Sequence, residues 1–298
     1  MRMKAKFKKS SELKSEQGLK YILHKELAVT DPPRSIKNLH ASELTREDIE
    51  FCPRERAYLL RDGDNRKDGR LGTSLNVTYQ VGRWYENQVR NVWLRKYALG
   101  DWYCSNCGHT HQYQTVPEAC DNCSHPGKHM TYIEPRAYSP EYDCSCGIDF
   151  MLWKDEFLTP VEIKTIDKDQ FKVLEAPLSE HRRRTQFYLD LLSHSTWMDF
   201  DVKINLDYGY LLYCCKGFGF ADNTEGRQGI SDAKFSPFKE FKVKKISGEG
   251  LDAVYQKALD VKAYKKTGKI PKREVCPTIT CKRAKRCTYR ETCFSEKS

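Results

Sequence analysis

The chain has 298 residues, 39% of them hydrophobic and 12% aromatic, enough for one large domain or two modest ones with a genuine core. Lys and Arg outnumber Asp and Glu by 51 to 41, a surplus that suits a polyanionic partner such as nucleic acid and equally an ordinary basic protein. The sequence holds no run of about eighteen apolar residues, which excludes a membrane-spanning helix, and the basic stretch Met1–Lys9 leads into no apolar segment of the kind a secretory signal needs. Thirteen cysteines in such a chain point away from disulfides and towards metal binding in a reducing compartment, and an odd number could not all pair. A cytoplasmic protein is expected.

Residues 1–40 are basic and polar, contain Pro32-Pro33, and read as a loosely packed arm. Over 41–100 a helical region is expected. Its first helix runs from Ser42, a plausible N-cap, to Leu60, with Cys52 in the latter half. Arg61–Arg70 reads as a charged loop, and a longer helix follows from Val77 to Ala98, with Gly100 as its stop. Residues 101–130 change character, with four cysteines, four histidines and few aliphatic residues. From 131 to 248 strands dominate: Thr131–Tyr138, a hairpin over 149–164, Leu206–Cys215 and Phe238–Ile246, with a helix from Pro177 or Ser179 through Ser193. A last helix, Gly250–Lys266, opens the segment 249–298, which ends in a basic, cysteine-rich tail. This order predicts an α/β fold with a central mixed sheet flanked by helices. No internal repeat, Walker motif or Rossmann glycine signature is present.

The hairpin carries the chemistry. Phe150-Met-Leu-Trp153 is apolar, Lys154-Asp-Glu156 is a polar break, and Phe157–Lys164 resumes an alternating pattern. A two-residue turn at Asp155-Glu156 sets Asp149 opposite Glu162, and alternation puts Glu162 and Lys164 on one face with it. Two carboxylates and an amine then converge near the hairpin's open end. Pro160 in the second strand predicts a bulge or an edge position. Glu134, in the preceding strand, is a further acidic candidate.

Three groups of cysteines stand out. Cys104-x-x-Cys107 and Cys120-x-x-Cys123 lie twelve residues apart, the spacing of two tight turns that close a tetrahedron around zinc. Four thiolates complete a structural shell, with His109, His111, His125 and His129 as substitutes, so this module serves stability or docking. The tail places Cys276, Cys281, Cys287 and Cys293 within eighteen residues. These make either a second zinc site or, with a distant thiolate, the ligands of an iron–sulfur cluster. Cys144 with Cys146, and Cys214 with Cys215, read as packing thiols in strands.

Asp149…Glu162-Ile163-Lys164 resembles the core of the PD-(D/E)XK nuclease superfamily. Cys52-Pro53-Arg54 together with Cys287-x5-Cys293 is similar to its iron–sulfur RecB-like branch, which includes the AddB nuclease domain and CRISPR-associated exonucleases. The resemblance spans roughly residues 45–295 and is interrupted by the zinc ribbon. It implies a restriction-endonuclease-like core over 131–248 and a [4Fe–4S] cluster on Cys52, Cys281, Cys287 and Cys293. Because Ala284 stands where the branch has its second cysteine, Cys281 is taken as the nearer replacement and Cys276 as the other. Glu86 occupies the histidine position of the branch's Gly-x-x-x-His, here Gly82-x-x-x-Glu86, and is expected at the metal or behind it. Gln186 matches the downstream glutamine, and Tyr188 stands near the missing tyrosine.

The implied activity is a Mg²⁺- or Mn²⁺-dependent deoxyribonuclease, an exonuclease acting 5′→3′ on single-stranded ends in recombination, repair or DNA processing. Its setting would be a bacterium or a phage-infected host. A hard cation takes oxygen ligands, here Asp149, Glu162 and the Ile163 carbonyl with Glu86 beside them, while Lys164 orients the attacking water or helps deprotonate it, best with a depressed pKa. Gln186 would position Lys164 or the substrate. Arg182, Arg183 and Tyr188 are expected at the nucleic acid. The competing reading is a non-catalytic nucleic-acid-binding protein or an accessory subunit that docks a helicase or recombination partner.

Overall fold

The computed structural model describes residues 36–46, 50–63, 73–194, 203–216, 236–246 and 251–296. Most of the arm expected at 1–40 and of the loop at 61–70 lies outside the described residues. The chain divides into two compact units, Met1–Arg34 with Arg66–Val81, and Ser35–Asn65 with Gly82–Ser298. Of the first, only residues 73–81, the start of a helix, are described.

In chain order, β1 (Leu39–His40) leads into the single turn α1 (Ala41–Leu44) and then α2 (Pro53–Asp62). Leu39–His40 is therefore a strand and not the end of an arm, and the helix expected over 42–60 is broken. Pro53 is the reason, since it lacks an N–H and has φ fixed near the helical value, which suits the first position of a helix and not its interior. Cys52 consequently precedes α2 in an extended conformation, φ −115° and ψ 110°. α3 (Thr73–Gln88) passes into a π turn, Val89–Trp93, and a 3-10 turn, Arg95–Tyr97, instead of continuing as a regular helix to Ala98.

β2 (Gly100–Cys104), β3 (Thr110–Gln114) and β4 (Met130–Ile133) form a small antiparallel sheet ordered β3-β2-β4. The strand expected over 131–138 divides at Glu134-Pro135. β4 stays with that small sheet, whereas β5 (Arg136–Ser139) pairs with β6 (Cys144–Gly147), which runs parallel to β1. The chain continues through β7 (Phe150–Lys154), β8 (Phe157–Asp167), α4 (Lys168–Val173), α5 (Ser179–Ser193), β9 (Lys203–Ile204) and β10 (Tyr208–Lys216). It closes with β11 (Phe238–Lys244), α6 (Asp252–Thr267), α7 (Lys282–Lys285) and α8 (Arg290–Ser295). The main sheet is ordered β11-β10-β8-β7, with β9 beside the start of β8. Its β8–β10 pair is parallel, and β7–β8 and β10–β11 are antiparallel. The fold is mixed α/β.

The hairpin register follows from its turn. Asp155 and Glu156 have φ of 53° and 65°, the two left-handed residues of a tight hairpin turn whose twist matches the strands. Phe150 pairs with Val161, so Asp149, one step beyond the ladder, lies opposite Glu162. Pro160 makes no bulge and lies on no edge. It faces Met151 in an unbroken ladder, in the interval where β8 passes from its last β9 partner, Leu158, to its first β10 partner, Val161. The missing N–H interrupts neither pairing.

One face of the main sheet, with Val161, Ile163 and Cys214, shares a core with Val89, Trp102, Met130 and Tyr132. The small sheet is thus packed into this core. On the other face, Leu211, Tyr213 and Cys215 pack with Phe171 and Leu174, and α5 lies against β8 and β10. Cys144, Cys146, Cys214 and Cys215 are buried packing residues. At the far end α2 packs on α6, Tyr58 stacks on Tyr289 at 5.3 Å, and its hydroxyl donates to Glu296 at 2.8 Å. Residues from the two ends of the described chain are thereby joined. No helix among the described residues is long and apolar enough to cross a membrane.

Candidate functional site

β8 outruns β7, and its free edge beyond Val161 is where the candidate active site forms. Asp149 turns onto that edge and accepts the Ile163 N–H at 2.8 Å. Lys164 Nζ pairs with Glu162, lies 3.9 Å from Asp149 Oδ2, and donates to the Ile163 carbonyl at 3.0 Å. Asp149, Glu162, Lys164 and Ile163 therefore converge. Glu86 joins them from α3. A Cβ on Gly82 would come within 3.3 Å of Thr165 Oγ1, so the helix crosses close to β8 and its next turn carries Glu86 to the edge. Glu134 sits behind, held by Arg90 Nη1 at 2.6 Å.

The charges report this crowding. Burial, then the nearby Glu162, pushes the Asp149 carboxyl well above its usual range. Burial likewise raises Glu86, although Lys164 and Arg90 oppose the shift. Burial would also raise Glu162, but Lys164 and then Arg184 outweigh it and hold the carboxyl at about 2. For Lys164 burial favours the neutral amine, yet Glu162 and Asp149 prevail and raise its pKa. The expected depression of Lys164 is therefore not found, because two carboxylates lie beside it.

Sequence reasoning missed part of α5. Arg184 Nη1 donates to Glu162 Oε1 at 3.1 Å and Nη2 reaches Glu180 at 3.4 Å. The buried Tyr188 hydroxyl faces Glu162 and helps keep it ionised, but its geometry falls short of a hydrogen bond, and Glu162 Oε2 is buried without a partner. Tyr188 is therefore a site residue, too buried to stack on a base. His181 Nδ1 lies 2.9 Å from the Tyr213 hydroxyl, which already accepts the Leu178 N–H at 3.0 Å. Burial, and then Lys164, lowers the His181 pKa to about 4, so the neutral ring is the favoured form beside Tyr213. Residues 181, 184 and 188 share one helical face, a three-and-four spacing that was readable in the sequence. Gln186 is two residues, more than half a turn, from Arg184. Its amide donates to the Lys244 carbonyl at 3.5 Å and not to Lys164. Arg182 is exposed and Arg183 half-buried; the arginine brought to the carboxylates is the third of the run.

The small sheet gathers four cysteines into a candidate metal centre. Cys104, Cys107, Cys120 and Cys123 offer sulfurs that all lie within 4.8 Å of one another, with Cys104–Cys123 at 3.7 Å and Cys107–Cys120 at 3.6 Å. The two turns are alike. Gly108 N–H donates to the Cys104 carbonyl and Ser124 N–H to that of Cys120, and Gly108 and Ser124 have φ of 77° and 55°. This group could hold a metal ion. Among the histidines, His111 touches the thiolates without replacing one: it is buried, its Nε2 lies 3.3 Å from Cys120 Sγ and its Nδ1 3.2 Å from Asp121.

The tail forms a different site. Cys52, Cys276, Cys287 and Cys293 line one pocket with Glu55, Arg273 and Arg283. Burial pushes the Cys276 and Cys287 thiols up to about 12. Cys281, the expected fourth ligand, does not line this pocket. It starts α7, where its Sγ accepts the Ala284 N–H at 3.3 Å, and Cys276 takes the place at the pocket wall. Among the described residues these thiols are not gathered to single-ion spacing, as the four of the small sheet are.

No protein-family profile matches the chain, and no curated protein matches it. A solved structure described as "Crystal structure of SSO0001" is 14% identical, with 88% of this chain and 97% of that one covered and a TM-score of 0.37, a likeness below the level at which a common fold follows.

Proposed function

We propose that the chain is a Mg²⁺- or Mn²⁺-dependent DNA nuclease with a restriction-endonuclease-like core, acting on single-stranded ends from the 5′ side in recombination, repair or DNA processing in the cytoplasm. One observation carries the reading: Asp149, Glu162, Lys164 and Glu86 meet at the free edge of β8, and Glu162 Oε2 is buried there with no hydrogen-bond partner. An orphaned carboxylate oxygen beside two carboxyls raised by burial and mutual repulsion fits a missing hard cation. Asp149 and Glu162 would hold it, with Glu86 and the Ile163 carbonyl as the remaining oxygens. Such a cation supplies charge for the phosphate and acidity for the attacking water. Lys164, kept as an ammonium and tethered to Glu162 and the Ile163 carbonyl, presents its remaining N–H to the phosphate or the water. Arg184 fixes Glu162, with the buried Tyr188 hydroxyl beside it, and neither touches substrate.

Zinc suits the small sheet. Sulfurs 3.6–3.7 Å apart are close to the roughly 3.8 Å edge of a tetrahedron with Zn–S of about 2.3 Å. A [4Fe–4S] cluster suits the tail, since its four thiolates bind four different irons and stand wider apart than around one ion. Cys52, Cys276, Cys287 and Cys293 would hold it, with Arg273 and Arg283 offsetting its negative charge, and it would fasten α2 to the tail.

The test is incubation of end-labelled single-stranded DNA with Mn²⁺, and again with EDTA. Cleavage with the metal alone is expected, and Asp149→Ala, Glu162→Ala and Lys164→Ala should each abolish it while leaving the circular-dichroism spectrum unchanged. Undiminished cleavage in these variants would refute the assignment.

A further inference from the structure

Strand β4 has polar contacts that run both to the four-cysteine group and to the elements that carry Glu86 and Asp149. On the cysteine side it pairs with β2, where Cys104 stands opposite Met130 and Trp102 opposite Tyr132, and the Trp102 and Tyr132 rings meet at 5.2 Å. The Cys120-x-x-Cys123 turn leads into the same strand through the short 3-10 turn Gly127–His129. Both halves of the sulfur group are thus anchored to β4.

On the other side, Tyr132 holds two elements of the candidate active site. Its N–H donates to Asn91 Oδ1 at 2.6 Å, and Asn91 Nδ2 donates to Asn87 Oδ1 at 2.5 Å. The Asn91 amide is therefore fixed between β4 and the residue that follows Glu86. The Tyr132 hydroxyl accepts the Met151 N–H at 3.2 Å and donates to the Leu99 carbonyl at 3.0 Å. Met151 lies two residues after Asp149, so this bond fixes the start of β7. Arg90, one turn beyond Glu86, adds a second tie to β4 through Glu134, the residue after that strand, at 2.6 Å. Arg90 and Asn91 both belong to the π turn Val89–Trp93, a departure from α geometry of the kind found at functional regions. Tyr132 is 2% exposed, so breaking its bonds would leave buried polar groups unsatisfied.

Glu86 and Asp149 reach the free edge of β8 from different elements. A hard cation takes its oxygens at about 2.0–2.6 Å, so its affinity depends on how their separation is set. We infer that Tyr132 and Asn91 are positioning residues that couple metal loading of the four-cysteine group to the cation site, the loaded sheet holding Glu86 and Asp149 at binding separation. The inference rests on the reading of the β8 edge as a Mg²⁺ or Mn²⁺ site and of the small sheet as a zinc site, and neither Tyr132 nor Asn91 is assigned as a ligand of either metal.

The experiment measures the Mn²⁺ affinity of the full, zinc-loaded chain from the electron-paramagnetic-resonance signal of the unbound ion. Glu162→Ala should abolish binding, which places the ion at the β8 edge. Asn91→Ala and Tyr132→Phe leave every carboxylate and thiolate in place, and each should weaken binding about tenfold with the zinc content unchanged. Stripping the zinc should weaken binding to the unaltered chain by a similar factor and have no further effect on the double variant Asn91→Ala/Tyr132→Phe. Coupling between two binding sites is reciprocal. Saturating Mn²⁺ should therefore slow zinc release to a zinc-selective chelator from the unaltered chain but not from the double variant, a pattern that general loosening of the fold would not give. Mn²⁺ affinity unchanged in both single variants, or zinc release indifferent to Mn²⁺, would overturn the inference and leave the cation site standing. Failure of the unaltered chain to bind Mn²⁺, or equal binding by Glu162→Ala, would instead remove the cation site and this inference with it.

Discussion

Replacing Arg184 by Met isolates the contact that the sequence least suggests. Arg184 Nη1 meets Glu162 Oε1 at 3.1 Å, with side chains 15% and 1% exposed. A fall of the Glu162 pKa from an ordinary 4.5 to about 2 corresponds to about 3 kcal/mol of preference for the ionised carboxylate in the folded state. Lys164 supplies the larger share and Arg184 the next, and removing Arg184 also removes the cost of burying it. A net loss of about 1–2 kcal/mol is therefore expected, short of the roughly 3–5 kcal/mol for stripping a buried charge of its only partner. In a chain of this size that lowers Tm by about 2–8 °C, measurable by differential scanning fluorimetry at pH 7.5. The sign of the pH dependence is set by the depressed pKa. The stabilisation is complete above the unfolded value near 4.5 and fades as pH falls towards about 2. The gap in Tm between the unaltered chain and Arg184→Met should narrow between pH 5 and pH 3. Equal Tm values at pH 7.5, or a gap that does not shrink in acid, would refute the assignment of Arg184 as the partner of Glu162.

The remaining predictions concern the metals and one close contact. Cys104→Ser should lower the zinc content from about one ion per chain to none, read by atomic absorption. It should also lower Tm, because the small sheet shares its core with the main one; unchanged stability would mean the ribbon is an independent appendage. Anaerobically purified protein should be brown, and Cys276→Ser should remove the visible absorption while Cys281→Ser retains it. The reverse result would make Cys281 the ligand and the observed pocket wall irrelevant. Gly209→Ala should destabilise the protein by about 1–3 kcal/mol, since a Cβ there would come within 2.9 Å of Thr185 Cγ2 and 3.1 Å of the Pro160 carbonyl. Denaturant titration would detect that loss, and an unaffected midpoint would contradict so close an approach of α5 to β10.

Much of the site was legible because its determinants are local. A two-residue turn dictates hairpin register, and period-two alternation dictates which side chains share a face. Asp149, Glu162 and Lys164 could therefore be placed together from spacing alone, and the paired Cys-x-x-Cys turns from the same kind of argument. Pro53 also carried its meaning locally, but the helical pattern over 42–60 hid the break it makes before α2.

What only the tertiary structure decided lies wherever two distant elements meet. Arg184, rather than Gln186, reaches Glu162 because α5 lands on β10 in one rotational phase, set by Phe187, Leu191 and Leu192 in the core. Cys276 lines the tail pocket, while Cys281, whose thiol lies beside that of Cys276, starts α7 just outside it. Lys164 keeps a raised pKa because Glu162 and Asp149, from separate elements, crowd one free strand edge. The sequence by itself determined which groups are present and how neighbours along a strand or turn are spaced. Which of them share one dielectric environment depends on long-range packing, and that sets their charge and their partners.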